Sequence, residues 1–237
     1  MLYATVRSKV ISDADEQMKA HVDDLYTILD IHVKEKQNSV NISLNLAHSI
    51  LNECGGITET DSHQTVQGIN QITKEKRDYQ IPIWHINNTN VYNDITIVDK
   101  IKSQAVETAT IFQKIDDGYL RVSTNVMKLD GTRAVNTFIP NSSNVIKTIE
   151  KGETFYGRAF VVNDWYLTAY EPIRINGVVK GILFVGVKEK DYAMIKKLFS
   201  NKRYYTNGYP FIIFDNVFLD TPSLKAISVI VIDRGSK

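Results

Sequence analysis

The chain has 237 residues, 43% of them apolar, and its 28 Lys and Arg against 27 Asp and Glu give a formal net charge of +1. This apolar content is that of a globular protein and excludes a wholly disordered chain. The near-neutral charge argues against a strongly basic nucleic-acid-binding protein. The single cysteine, Cys54, excludes an internal disulfide and a zinc site built from two or more thiolates.

The first 54 residues contain neither glycine nor proline, the two residues that most strongly interrupt helices. Apolar side chains recur there mostly at spacings of three, four or seven, as one face of a helix requires. This stripe consists of Ala4, Ile11, Met18, Val22, Leu25, Leu29, Val33, Val40, Leu44, Ala47 and Leu51. The pattern predicts a long helix over residues 1–54. We expect one half to pack on the following domain and the other half to project or to pair with a second copy.

Three residues of metal-binding or nucleophilic type lie in this region: His21 and His32 on or beside the stripe, and Cys54 at the predicted helix end. No further ligand stands at helical spacing, so we interpret the two histidines as polar positions of a helix pair and not as a metal site or pH switch. No Cys-His signature surrounds the cysteine, which we interpret as structural or incidental and not as a nucleophile. No apolar run of 18 residues occurs, and the opening residues lack the apolar core of a signal peptide. The chain is therefore interpreted as soluble, or as a piece of a membrane protein from between its spans.

Residues 55–80 are polar and are predicted to form a shorter connecting helix with loops. From Ile81 the pattern changes to the period of two that is typical of strands. Predicted strands, rich in β-branched and aromatic residues, cover 108–113, 119–126, 155–162, 165–173 and 178–187. Turn residues at 116–118, 163–164 and 176–177 predict antiparallel hairpins, and 143–150 is predicted to be a short helix. The predicted fold class is α+β, with the long helix packed on an antiparallel sheet of about five strands.

Alternation sorts the predicted sheet into two faces. Tyr166, Thr168 and Tyr170 share one face of their strand, opposite Trp165, Leu167 and Ala169; Arg121 shares a face with Ser123 in the same way. A face that combines rings, hydroxyls and a guanidinium suits a small anionic or polar ligand. The alternative is that Arg121 faces solvent and that the tyrosines only cap the core.

Several segments, taken in order, resemble the Cache family of PAS-like sensor domains in bacterial chemoreceptors and sensor kinases. They are VDKI (98–101), TATIFQ (108–113), YLRVSTNVMKLDGTRAVNTFI (119–139), GETFYGRAFVVNDWYLTAYEPI (152–173) and NGVVKGILFVGV (176–187). The resemblance is to the branch in which two Cache modules are fused. It implies a sensor domain at residues 81–190, and the preceding long helix fits the stalk of the family.

The resemblance also implies a function: an extracytoplasmic domain that binds a small metabolite, often a carboxylate, and signals to the membrane through helices. It implies a periplasmic location and membrane spans in the parent receptor that are absent from this chain. The apolar stripe of the long helix separately predicts a homodimer formed through the N-terminal helix. We expect no enzymatic activity, because no dinucleotide, Walker, zinc-protease or G-x-S-x-G motif occurs. We likewise expect no cofactor, no metal and no nucleic-acid partner. The alternative function is a structural or interaction protein that dimerises through the long helix.

In citrate-type relatives the pocket is lined by the strand that leads to a Pro-Ile step and by the strand before it. The matching positions here, completed by the RVST segment, are Tyr166, Thr168, Tyr170, Tyr156, Arg158, Arg121 and Ser123. Citrate sensors carry a basic pair where this chain has Thr168 and Tyr170. This departure favours a monocarboxylate, an amino-acid-like or a neutral ligand. We interpret Arg133 of the GTRAV segment as a brace for its loop.

Residues 191–237 are predicted to contain a helix and then the partial start of a second Cache module or a tail. Residues 201–216 resemble the opening of such a module, where a Tyr-Gly-Tyr step begins a strand. For residues 217–237 three interpretations stay open: a partial module, a frameshifted end, or a strand that docks on the first domain.

Overall fold

The computed structural model describes residues 2–189, 209–214 and 227–232. The chain divides into two compact units, one of residues 1–35 with 191–237 and the other of residues 36–190. The domain boundaries expected from the sequence stay a prediction.

The first helix, α1 (Leu2–Glu53), has 52 residues and confirms the predicted long helix. At about 1.5 Å per residue it is about 78 Å long. Gly55 and Gly56 follow it with positive φ angles of 99° and 66°, a conformation that glycine adopts without steric cost. The absence of internal helix breakers and this glycine pair together explain where the helix ends.

Within the unit of residues 36–190, nine strands form one sheet. They are β1 (Thr58–Asn70), β2 (Lys76–Ile86), β3 (Thr89–Asn90), β4 (Thr108–Ile115), β5 (Gly118–Thr124), β6 (Thr137–Pro140), β7 (Phe155–Val161), β8 (Asp164–Ile175) and β9 (Val178–Lys188). Their order is β3-β2-β1-β6-β5-β4-β9-β8-β7. Among the described strands only β1 and β6 pair in parallel, over two residues each, so the sheet is mixed but mostly antiparallel.

Strands β4, β5, β7, β8 and β9 are the five predicted strands, and their three hairpins are confirmed. The total of about five strands was wrong, because β1, β2, β3 and β6 join the same sheet. The predicted helix in residues 55–80 was also wrong, since β1 and the start of β2 occupy this segment. Only Val66 and Gly68 of β1 are buried, so the sequence of this strand needs no alternation of apolar and polar residues and shows none. Cross-strand pairing with β2 maintains this polar strand.

Helices cover both faces of the sheet. The carboxyl-terminal part of α1 buries Val40, Leu44, Ala47 and Leu51, which confirms that this half of the helix packs on the domain. The unpredicted helix α2 (Thr96–Gln104) meets α1 where the Ser43 hydroxyl donates to the Ala105 carbonyl at 2.7 Å. The predicted short helix, α3 (Asn144–Glu150), packs on the opposite face through Val145, Ile146 and Ile149. The protein is therefore α+β, with the sheet between α1 and α3.

In the unit of residues 1–35 and 191–237, two described segments pair as an antiparallel ribbon. They are β10 (Tyr209–Phe214) and β11 (Ile227–Ile232), joined over six residue pairs. β10 coincides with the strand expected at the opening of a second module. The helix predicted at the start of residues 191–237 lies outside the described residues.

Candidate functional site

Arg121, on β5, is the most unusual side chain of the described sheet. It is 1% exposed, and its guanidinium carbon lies 4.8 Å from the centre of the Phe112 ring. Its Nη1 donates to the Thr137 hydroxyl, whereas its Nε has no hydrogen-bond partner. No carboxylate in the described part of the chain forms an ion pair with it. A buried cation without an anion is destabilising, so Arg121 is a candidate for pairing with an anionic ligand.

The electrostatics around Arg121 are set by burial and two phenols. Burial lowers the pKa of the Arg121 guanidinium to about 10, and the nearby Tyr170 and Tyr166 act in the opposite direction. Burial raises the pKa of Tyr170 beyond its ordinary range, which Arg121 partly opposes. Burial, then Glu107 and Asp164, raise the pKa of Tyr166 to about 12. At neutral pH the group is therefore one positive charge beside two neutral phenols.

Tyr166, Thr168 and Tyr170 lie on one face of β8, as predicted, and all three are buried. Tyr170 packs its ring 4.8 Å from that of Phe184 and 6.3 Å from that of Phe112, which connects it to the ring under Arg121. Arg121 and these three residues of β8 therefore share one face of the sheet. The same face carries α3, so the predicted alternative of a solvent-facing Arg121 is wrong.

A row of small residues crosses this face on four neighbouring strands. The register pairs Thr108 with Gly186, Gly186 with Thr168, and Thr168 with Gly157. The Thr168 hydroxyl donates to the Gly157 carbonyl at 2.6 Å and the Thr108 hydroxyl to the Gly186 carbonyl at 2.5 Å. Both hydroxyls thus stabilise the sheet itself. The row lies between Tyr166 on one side and the Phe184 and Tyr170 pair on the other.

The loop from β5 to β6 closes over this face. Its Val126 and Ala134 are fully buried in the same apolar cluster as Tyr166 and Tyr170. Arg133 holds the loop through two hydrogen bonds to the Asp99 carboxylate, at 2.9 and 2.8 Å, and one to the Thr124 carbonyl at 2.8 Å. This geometry confirms Arg133 as a brace.

Tyr156 and Arg158, also predicted as site residues, lie on the opposite face of the sheet. The two-residue turn of the β7–β8 hairpin pairs Tyr156 with Ala169 and Arg158 with Leu167. Arg158 stacks over the Trp165 ring at 4.0 Å and forms an ion pair with Glu189 at 2.8 Å. The structure does not bring these two residues together with Arg121.

Ser123 also departs from the predicted face, because β5 carries a bulge. Ile111 pairs with Ser123 but Phe112 pairs with Arg121, so Val122 is an extra residue. The bulge reverses the alternation beyond it. Ser123 therefore turns to the other face, where its hydroxyl donates to the Asp94 carbonyl at 2.5 Å. The register brings Thr124 to the face of Arg121 instead, where its hydroxyl lies 2.6 Å from that of Thr110.

Two contacts of the site were missed from the sequence. Phe112 lies in a predicted strand, and correct pairing of that strand with β5 would have placed its ring under Arg121. Thr137 lies on β6, a strand of four residues without a distinctive pattern, so no sequence signal identified it.

The described residues contain other polar features, which lie apart from Arg121. No group of three or more His, Cys, Asp and Glu side chains among them could hold a metal ion. A cleft of about 680 Å³ is lined by Tyr79, Trp84, Gln113 and Lys180 among others, and Arg121 is not part of its lining. No helix in the described ranges is long and apolar enough to span a membrane.

Comparison with known families gives one match. The model of the Cache 3/Cache 2 fusion domain matches residues 3–225, most of the chain. No curated protein and no solved structure gives a significant match.

Proposed function

The chain belongs to the Cache 3/Cache 2 fusion domain family, and from this premise we propose that it is the ligand-binding part of a bacterial transmembrane signalling receptor. The receptor is a chemoreceptor or a sensor kinase, and the ligand is a small carboxylate or an amino-acid-like metabolite. Cache domains are extracytoplasmic sensing domains that bind small molecules and are generally not enzymes. For this chain we further propose a periplasmic location, no catalytic activity, and the receptor type and ligand chemistry named above.

The observation that supports this ligand chemistry is the Arg121 guanidinium. It is buried, it lacks an acidic partner among the described residues, and its Nε makes no hydrogen bond. A carboxylate can accept two hydrogen bonds from a guanidinium and would neutralise the charge. Tyr166, Thr168 and Tyr170 complete the proposed site on the same face. Ser123, Tyr156 and Arg158, also predicted as ligand-binding, face the other side, and we assign the ligand to the Arg121 face.

Two hydrogen bonds offer a route from this site to α1. Gln37 of α1 donates through Nε2 to the Thr168 carbonyl at 3.1 Å. His48 of α1 lies with Nδ1 2.8 Å from Glu171 Oε2, one residue after Tyr170. A ligand that shifts β8 would therefore favour one of two positions of the helix, provided that it binds the two states unequally.

A thermal-denaturation screen tests the proposal. Organic acids, amino acids and neutral sugars are compared at equal ionic strength, with circular dichroism to confirm folding. We expect at least one carboxylate to raise the unfolding midpoint by roughly 5–10 °C at a hundredfold excess over its Kd. A folded sample that responds to no carboxylate would contradict the proposal.

The second candidate function, a structural protein that dimerises through its long helix, is favoured by apolar side chains near the start of α1. Tyr3, Val6 and Val10 are exposed there. Light scattering tests the dimer, for which we expect about twice the chain mass of 26.9 kDa. A strict monomer at high concentration would argue against pairing in either function.

A further inference from the structure

Among the described residues, the Arg121 face contains one buried positive charge, which limits how many carboxylates of a ligand can be neutralised there. The neighbouring arginines have other partners: Arg133 binds Asp99, and Arg158 binds Glu189 on the opposite face. Lys188 on β9 pairs with Tyr166 on β8, but the Lys188 side chain is exposed to solvent. A second carboxylate of the ligand would therefore lose its hydration on binding, and the described part of the chain has no second buried cation to compensate for this loss.

Among the described residues, no carboxylate at the Arg121 end of the site could pair with an ammonium group. The ionisable groups that act on Arg121 are the phenols of Tyr170 and Tyr166, and the group that acts on Tyr170 is Arg121. Glu107 and Asp164 act on Tyr166, at the other side of the small-residue row. In an α-amino acid the ammonium is one carbon away from the carboxylate. It would therefore lie beside the Arg121 charge, with like-charge repulsion and no described carboxylate to offset it.

The surroundings of the guanidinium are apolar. Phe112 lies under Arg121, and its ring is 6.4 Å from that of Phe184 in an edge-to-face contact. Ile182 and Phe184 are fully buried on the same face. Next to these rings the Phe184 ring packs closely on Gly186 of the small-residue row, since a β-carbon added there would lie 2.9 Å from the ring. Such walls bind the body of a ligand by removing apolar surface from water.

From these three features we infer that the ligand of the Arg121 face is a monocarboxylate with an uncharged, apolar body, and that α-amino acids and dicarboxylates of the same skeleton are rejected. This inference rests on the proposed function and narrows its ligand class. The carboxylate pairs with Arg121, and the apolar body contacts the rings around it, those of Phe112, Tyr170 and Phe184.

Matched ligand sets on the whole chain test the inference. One set has a five-carbon skeleton: pentanoate, norvaline and glutarate. The other has a ring: 3-phenylpropanoate, phenylalanine and phenylsuccinate. Calorimetric titration gives the Kd of each with the wild type, with Arg121→Met, and with Arg158→Met as the matched control on the opposite face. Circular dichroism confirms that both variants fold.

We expect pentanoate or 3-phenylpropanoate to bind, and its amino and dicarboxylate counterparts to bind roughly 100-fold more weakly or not at all. Arg121→Met should abolish this binding and Arg158→Met should retain it. If norvaline, phenylalanine or a dicarboxylate binds at least as tightly and depends on Arg121, the narrowed ligand class is wrong while carboxylate sensing stands. Binding that survives in Arg121→Met overturns the site. If none of the six compounds, nor any carboxylate of the wider screen, binds a folded wild type, the proposed function fails together with the inference.

Discussion

Arg121 and Arg158 lie on opposite faces of one sheet, and within the part of the chain that the structure describes only Arg158 pairs with a carboxylate. Arg158 is about one-third exposed, stacks on Trp165 and pairs with Glu189. Arg121 is fully buried; its Nη1 donates to the Thr137 hydroxyl, its guanidinium lies over the Phe112 ring, and no carboxylate among the described residues pairs with it. The Arg158 contacts are sufficient to explain why a charge is tolerated there. Those of Arg121 are not, and a locally unfavourable charge is characteristic of a site that a ligand completes.

The largest expected effect tests whether Arg121 is there for stability or for binding. Arg121→Met keeps the apolar stem and removes the buried charge, so we expect the free energy of unfolding of the ligand-free protein to rise by about 1–3 kcal/mol. The Thr137 hydroxyl keeps a hydrogen bond to the Ala134 carbonyl at 2.9 Å. Urea unfolding followed by circular dichroism measures the change. Arg158→Met is the control, with an expected loss below about 1 kcal/mol because its ion pair is partly exposed. A loss of stability in Arg121→Met would mean that the charge is structural.

A smaller effect, of opposite sign, is expected from the arginine that braces the loop. Arg133→Met removes the two hydrogen bonds to Asp99 and the one to the Thr124 carbonyl, so we expect the free energy of unfolding to fall by about 1–2 kcal/mol. A double-mutant cycle with Asp99→Asn measures the coupling of the pair by urea unfolding. If Arg133→Met stabilises the protein, as Arg121→Met should, the contrast between braced and unpaired arginines does not hold.

The smallest expected effect concerns Tyr119, a buried phenol that, unlike Arg121, forms a hydrogen bond with a carboxylate. The Tyr119 hydroxyl donates to Glu150 Oε1 at 2.7 Å, and Lys114 donates to Oε2 at 2.8 Å. Burial acts to raise the pKa of Glu150, but these hydrogen bonds lower it below its ordinary value. A lowered folded-state pKa stabilises the fold above the unfolded pKa, and this contribution is lost as the pH falls through the folded one.

We therefore expect Tyr119→Phe to lower the free energy of unfolding by about 1 kcal/mol at pH 7. The difference from the wild type should shrink as the pH falls from about 5 into the range where Glu150 is protonated in the folded state. Urea unfolding at several pH values checks this. A difference that stays constant over that range would assign the loss to packing and not to the charged hydrogen bond.

The elements predicted correctly are those that local physics determines. α1 follows from a periodic stripe without breakers, and the β4–β5, β7–β8 and β8–β9 hairpins follow from turn residues between alternating segments. β1 was missed because it is polar and owes its conformation to pairing with β2, a tertiary effect that propensity does not contain. The mixed topology depends on the β1–β6 contact, which is distant in sequence.

The structure brings only part of the predicted set of site residues to one face of the sheet, for two separate reasons, and their assignment to ligand binding stays a prediction. The placement of Tyr156 and Arg158 was available from the sequence, because a two-residue turn at Val162 and Asn163 fixes which residues of β7 and β8 share a face. The placement of Ser123 was not available, since the bulge at Val122 depends on how β4 and β5 pair in three dimensions. That no carboxylate of the described segments pairs with Arg121 likewise depends on packing in three dimensions.

The extra residue Val122 has a consequence for reading this chain against others. The alternation of β5 side chains between the two sheet faces runs regularly up to Arg121 and is reversed from Ser123 onward. A relative whose strand pairs with β4 without this bulge would present a different member of the RVST segment on the face of Arg121, even where the letters align without a gap. The face that a residue after Val122 occupies can therefore be assigned only once the pairing of β5 with β4 is known.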